Sequence, residues 1–286
     1  MSYCKAKQER GENQLVSEVT TPGFLADYLE RAKNVNTRNK KAAFLRSFIK
    51  DTCLEFLDKK RINQIFDKRG VLQIRSTEND LPKAFTRNQI LHLLNECRQS
   101  QNAIRNFTII ITFLSSGIRL DELVNLKVGD VFFDQKRLRV RPKGDKNAYH
   151  MRFIMEVGLI RLKDYIDFTY GHMLKKLSVG EYKALYLFSN NGGQKPLTGR
   201  AIEIMVDQLV KKLKGQGVIE KDKKLGIHSF RHSFAIYALE SGVDIYTISK
   251  LLGHKTITST EVYLNMFDYQ IQSAIEKHPL AKLSLF

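Results

Sequence analysis

The spacing of apolar residues changes period once along this 286-residue chain, and that change limits the folds open to it. Phe24, Leu25, Tyr28 and Leu29 recur at helical spacing. A second helix, capped by Asn36 or Thr37, has Phe44, Leu45, Phe48, Ile49 and Phe56 as its apolar face. Thr86 caps a third, with Ile90, Leu91, Leu93 and Leu94 inward, and residues 103–126 read as two helices meeting at Ser115-Ser116-Gly117. Between Val131 and Ile154 the period shortens. Residues 131–133, 138–140 and 150–154 read as three short antiparallel strands, with turns at Asp134–Lys136 and Pro142–Asn147. Helical patterns then resume. Thr198 caps one that ends near Gly215, another runs from about Ser229 to Ser241 with Gly242 just past its end, and Asp244 caps one that ends at Gly253. Thr258–Glu261 has the form of a capping box opening one more. The expected fold is mainly α with a small antiparallel β-sheet.

A polar stretch ending in Leu81-Pro82-Lys83 interrupts the pattern and reads as a linker. The expected organisation is a tail (1–13), a helical N-terminal domain (14–76), a linker (77–83), a larger domain (84–267) and a C-terminal helix (268–286) whose mostly apolar stripe suits a subunit contact. No run approaches the length of a membrane span, and the polar N-terminus has no signal-peptide character. Cys4, Cys53 and Cys97 lie far apart without a CxxC pair, which supports neither a disulfide frame nor a cysteine zinc site. The expected location is therefore the cytoplasm.

Lys and Arg number 47 against 30 Asp and Glu, a net charge of +17. Such an excess is repulsive within a folded chain and points to a polyanionic partner, although ribosomes, tRNA and acidic lipids attract basic proteins too. Arg38, Lys40, Lys41 and Arg46 crowd one helix of the N-terminal part. They form either a solvated face or a set of phosphate contacts.

The chemistry concentrates in HSFRHSFAIYALESGVDIYTISKLLGHKTITSTEVY, residues 228–263. Any one of its His, Arg or Tyr residues alone would be an ordinary packing or surface residue. Together, His228, Arg231, His254 and Tyr263 provide proton transfer, a planar fork for two phosphate oxygens, and a nucleophile. A phenol with an ordinary pKa near 10 attacks at neutral pH only with such help. Two other readings of the segment compete. His228, His232 and His254 as metal ligands would have a cation, Arg231, among them and no suitable carboxylate. Ala238, Gly242 and Ile248 fit the corner of a helix-turn-helix, which is common outside DNA grooves.

This segment resembles the signature of the tyrosine recombinase (phage integrase) family: H-x-x-R at His228 and Arg231, L-L-G-H at 251–254, and a tyrosine nine residues later. Upstream, Ser116-Gly117-Ile118-Arg119-Leu120-Asp121-Glu122-Leu123 resembles the motif that carries the family's first arginine. Arg119 would be that arginine and Glu122 its supporting carboxylate. The family's catalytic lysine lies in a β-hairpin turn; Lys143 is the best match and Lys146, otherwise a DNA contact, the alternative. The resemblance implies a helical core-binding domain joined to a catalytic domain. It implies that Arg119, Arg231 and His254 hold the scissile phosphate, that Tyr263 attacks to give a 3′-phosphotyrosine, that His228 takes the tyrosine proton, and that Lys143 protonates the leaving 5′ oxygen. No metal or other cofactor is implied. The partners would be a double-stranded DNA recombination site and further copies of the chain, as a tetramer on two sites; the need for accessory proteins stays open. The length suits a Xer-like recombinase or a transposon cointegrate resolvase. A type IB topoisomerase and a non-catalytic DNA-binding regulator are the alternatives.

Overall fold

The computed structural model describes residues 16–67, 70–74, 82–141, 148–254, 260 and 262–263. The chain divides into two compact units, Met1–Asp80 and Leu81–Phe286. Lys143, Lys146, the Thr258–Glu261 capping box (apart from Thr260) and the tail from Asp268 lie outside the described residues.

The first unit contains α1 (Val16–Val19), α2 (Pro22–Glu30), α3 (Val35–Thr52), a 3₁₀ turn (Leu54–Phe56) and α4 (Lys59–Phe66). Thr21 caps α2 with Pro22 in its first turn, which is where a missing N–H costs nothing. The cap of α3 is Asn34, whose side chain accepts from Thr37 N at 2.8 Å. It replaces the expected Asn36 or Thr37. The buried row of α3 is also shifted from the expected one. Ala42, Leu45 and Ile49 are in the core, whereas Phe44 is 57% exposed and stacks on the exposed Phe48. Arg38 falls on the same row as Ala42, Leu45 and Ile49 and is only 8% exposed. Its guanidinium donates to the carbonyls of Gln73 (2.8 Å) and Val71 (3.1 Å). Arg46 donates to Leu72 and Phe66 carbonyls, each at 3.2 Å. Lys41 lies over the Tyr28 ring. Of the four cations expected to face DNA, Arg38 and Arg46 are therefore spent on backbone carbonyls that the turn leaves without partners, and Lys40 stands exposed.

The second unit begins with α5 (Arg87–Arg98), α6 (Ala103–Ser116) and α7 (Leu120–Val124). Thr86 and Gln89 form the capping box of α5, which buries Leu93 and Cys97; Leu91, expected inside, is 62% exposed. A 3₁₀ turn (Val128–Asp130) leads into β1 (Val131–Phe132), β2 (Arg137–Val140) and β3 (His150–Phe153), an antiparallel sheet in the order β1-β2-β3. Leu138 pairs with Arg152, and Val140 with His150. Leu138, Val140 and Arg152 are the buried positions of their strands, while Arg137 stacks over Phe153 on the other side.

Next come α8 (Glu156–Tyr170), a 3₁₀ turn (Gly171–Met173), α9 (Val179–Ala184), α10 (Gly199–Gly215), α11 (Ile227–Glu240) and α12 (Ile245–Leu252). Helix α6 is the spine, packed between α5, α8 and α11. It meets α8 at Gly158, where any Cβ would run into the Ser115 side chain. It meets α11 through a ring stack in which Phe230 lies 4.8 Å from Phe85 and 5.8 Å from Phe113. Helix α11 starts two residues earlier than its sequence pattern suggests, with Gly226 as its cap, so His228 sits in its first turn. Gly253 closes α12 in the left-handed region (φ +63°) and turns the chain towards His254.

Candidate active site

Three chain segments deliver the site residues of the second unit to one cleft of about 390 Å³. The α6–α7 corner provides Arg119, the first turns of α11 provide His228 and Arg231, and the end of α12 provides His254. Arg119 is the cap residue of α7, and Glu122 folds back to accept its backbone N–H at 2.8 Å. The same carboxylate, 2% exposed, receives the Arg119 guanidinium at 3.4 Å and that of Arg152 at 2.9 Å.

Arg231 donates to the Gly117 carbonyl (2.6 Å) and the Leu252 carbonyl (2.8 Å). Both acceptors lie at helix C-termini, where the dipole leaves partial negative charge. Burial, and then the charge of Arg119, lower its pKa to about 10, so it remains a cation at neutral pH. Arg119 and Arg152 thus share a single buried carboxylate, whose charge also acts on Arg231. Asp121 and Glu203 line the cleft as well, and its two guanidinium forks suit the oxygens of an anion.

His254 faces this cluster. Desolvation, followed by the charges of Arg231, Arg119 and Arg152, lowers its pKa to about 4. It is therefore neutral at pH 7. Its Nδ1 lies 2.6 Å from the Thr260 hydroxyl. With that hydroxyl donating, Nε2 carries the ring proton and can donate to an anion.

Tyr263 does not line the cleft. It is 2% exposed, packed in a cluster with Phe234, Ile248 and Leu252. Its hydroxyl lies 2.9 Å from Nδ1 of His232, and the two rings meet edge to face. Burial raises the pKa of the phenol, and Arg231 pulls the other way. His232 is itself held below the usual histidine range by burial, then by His228 and Arg231. The hydrogen-bond partner of the Tyr263 hydroxyl here is His232, while His228 lines the cleft. Sequence pattern assigned His232 only to a disfavoured metal set, yet its place four residues after His228 puts it on the same helix. Arg152 was also missed; its signal was a charge at an inward position of a strand. Among the described residues no group of three or more His, Cys, Asp or Glu is arranged to hold a metal ion.

Residues 83–269, which contain all of these groups, match the phage integrase family. The chain belongs to that family. It is 30% identical over 277 residues to tyrosine recombinase XerC of Thermodesulfovibrio yellowstonii, an alignment spanning 95% of this chain and 85% of that protein. It is 26% identical over 270 residues to tyrosine recombinase XerD of Halalkalibacterium halodurans, spanning 93% and 83%. Among solved structures, the Tn1549 transposon integrase in complex with circular intermediate DNA matches with a TM-score of 0.66 at 19% identity, over 96% of this chain and 98% of that one. XerH recombinase bound to its palindromic difH substrate matches with a TM-score of 0.65 at 18% identity, over 90% and 72%. At these identities the structural likeness shows the fold. The activity of this phage integrase family member is that of a tyrosine site-specific recombinase.

Proposed function

We propose that this recombinase binds a double-stranded DNA site and exchanges strands through a 3′-phosphotyrosine bond made by Tyr263. The carrying observation is the cleft in which Arg119, Arg231 and His254 converge, two guanidiniums beside a neutral imidazole. A scissile phosphate fits that chemistry. The two arginines and Nε2–H of His254 neutralise the charge that grows on its non-bridging oxygens in the transition state. Tyr263 leaves His232, enters the cleft and attacks phosphorus as the bond to the 5′ oxygen breaks. His228, which lines the cleft, takes the phenol proton, and Lys143 gives one to the leaving oxygen. The 5′ hydroxyl of a partner strand then attacks the phosphotyrosine, restoring both the phosphodiester and the phenol. Both bonds are phosphodiesters, so the exchange needs no external energy source.

The DNA partner is supported by the net charge of +17 and by the DNA-bound relatives of the same fold. We read the working assembly as a tetramer on two sites, acting on nucleoid DNA in the cytoplasm; no described helix is long and apolar enough to cross a membrane. The test is a covalent-adduct assay. Nicked, end-labelled duplexes tiling the DNA that flanks the gene are incubated with wild type and Tyr263→Phe, then resolved on a denaturing gel. A protein-sized shift with wild type alone, at one duplex, is expected. Relaxation of any supercoiled plasmid regardless of sequence would point to a topoisomerase, and salt-sensitive binding with no adduct at any duplex would leave only a DNA-binding protein.

A further inference from the structure

The Arg152 guanidinium touches both Glu122 and the Gly253 turn. It sits on the inward face of β3, 7% exposed, opposite the fully buried Leu138. It donates to Glu122 at 2.9 Å. It also fills the space where any Cβ of Gly253 would fall. Arg119 in turn bonds Glu122 and reaches the Gly253 carbonyl at 3.5 Å. The contacts form a closed ring through Arg119, Glu122, Arg152 and Gly253, and His254 follows directly. Arg152 is not among the residues that line the cleft.

A core role explains this side chain poorly. The other buried positions of β2, Leu138 and Val140, are apolar, as an inward sheet face should be. Arg152 instead brings a second guanidinium to a carboxylate already bonded by Arg119, and its buried Nε has no hydrogen-bond partner among the described residues. Such an arrangement is unfavourable for folding alone.

We propose that Arg152 is a further positioning residue of the recombinase: it fixes the Glu122 carboxylate under Arg119 and shapes the Gly253–His254 turn, so that Arg119 and His254 meet one phosphate in register. The inference deepens the phosphate-clamp reading and rests on it. It also explains why glycine is needed at 253 twice over, once for the left-handed backbone and once for the guanidinium that occupies the side-chain space.

Two assays test it, one of which needs no DNA site. In the first, wild type, Arg152→Lys and Arg152→Met are heated with and without millimolar inorganic phosphate, at constant ionic strength. The readout is the phosphate-dependent rise in melting temperature, which a purely structural loss would leave in place. The rise should vanish in Arg152→Met, as in Arg119→Met, and persist in part in Arg152→Lys. In the second, the duplex captured by wild type is used at saturating protein. Adduct formation by Arg152→Met should slow about 100-fold, the scale expected for a misplaced clamp, with DNA affinity little changed. Arg152→Met combined with Glu122→Gln should be no slower than the slower single variant, since both act through one contact. An unchanged phosphate response in Arg152→Met, an adduct rate within about twofold of wild type, or multiplicative losses in the double variant would each overturn the proposal. Should wild type capture no duplex, the strand-exchange reading fails on its own account, and the phosphate assay still decides the role of Arg152.

Discussion

Arg231 shows how much a single side chain can be asked to do. Its fork bridges the carbonyls of Gly117 and Leu252 and still faces the cleft. Lysine keeps the charge but has neither the planar fork nor the reach to hold both acceptors. Arg231→Lys should therefore lower the rate of adduct formation by about 10²–10³, a loss on the scale of one oxyanion donor, read as a single-turnover rate. His254 gives a pH signature. Its pKa falls from 6.5 to about 4 on folding, so between those values the unfolded chain binds more protons than the folded one. The stabilisation is complete above the unfolded value and is lost as pH falls through the folded one. His232, also lowered, adds in the same sense. Urea unfolding followed from pH 7 to pH 4 should show stability falling, with a shallower slope in His254→Asn. The gathering of Arg119, His228, Arg231 and His254 at one cleft was legible because their motifs are specific. Arg152 and His232 were not, because their meaning depends on which distant backbone or ring they meet.

Helix α3 and the α6–α8 crossing carry the element-scale lessons. Period alone placed α3 correctly, but its register was misjudged because Phe44 and Phe48 looked like core and Arg38 like surface. Physics prefers the reverse here, since a turn with unpaired carbonyls needs a buried multiple donor, and Phe44 and Phe48 can cover each other outside. Arg38→Ala should accordingly destabilise the first unit by about 1–3 kcal/mol, the cost of orphaned buried acceptors, measured by denaturant unfolding. Lys40→Ala should leave that midpoint unchanged and weaken DNA binding instead, with a reduced salt slope. Gly158→Val would force α8 away from Ser115 at a cost of about 1–3 kcal/mol from overpacking. The strands were legible from their shortened period, and the sheet order from their succession along the chain.

At the scale of the whole molecule, the family match covers the second unit and the basic charge extends beyond it. Binding to the recombination site should weaken steeply with salt, because neutralised phosphates release counterions. Truncation after Asn265 should preserve binding to a single site and abolish pairing of two sites on a native gel; full recombination by the truncated chain would refute a role for the tail between subunits. Assembly was the least legible property, since a stripe such as Ile271, Ala274, Ile275 and Leu280 reads alike whether it packs on its own chain or on a neighbour. The acceptors of Arg231 carry one more consequence. They are main-chain atoms at two helix ends, so no side-chain replacement at 117 or 252 deletes them directly. A one-residue insertion or deletion in α6 or α12 would rotate a carbonyl away, and a side chain at Gly117, left-handed (φ +60°) with Phe234 and Leu252 filling the Cβ space, would displace the same end. The lineage of this protein should keep the lengths of both helices and the glycine at 117.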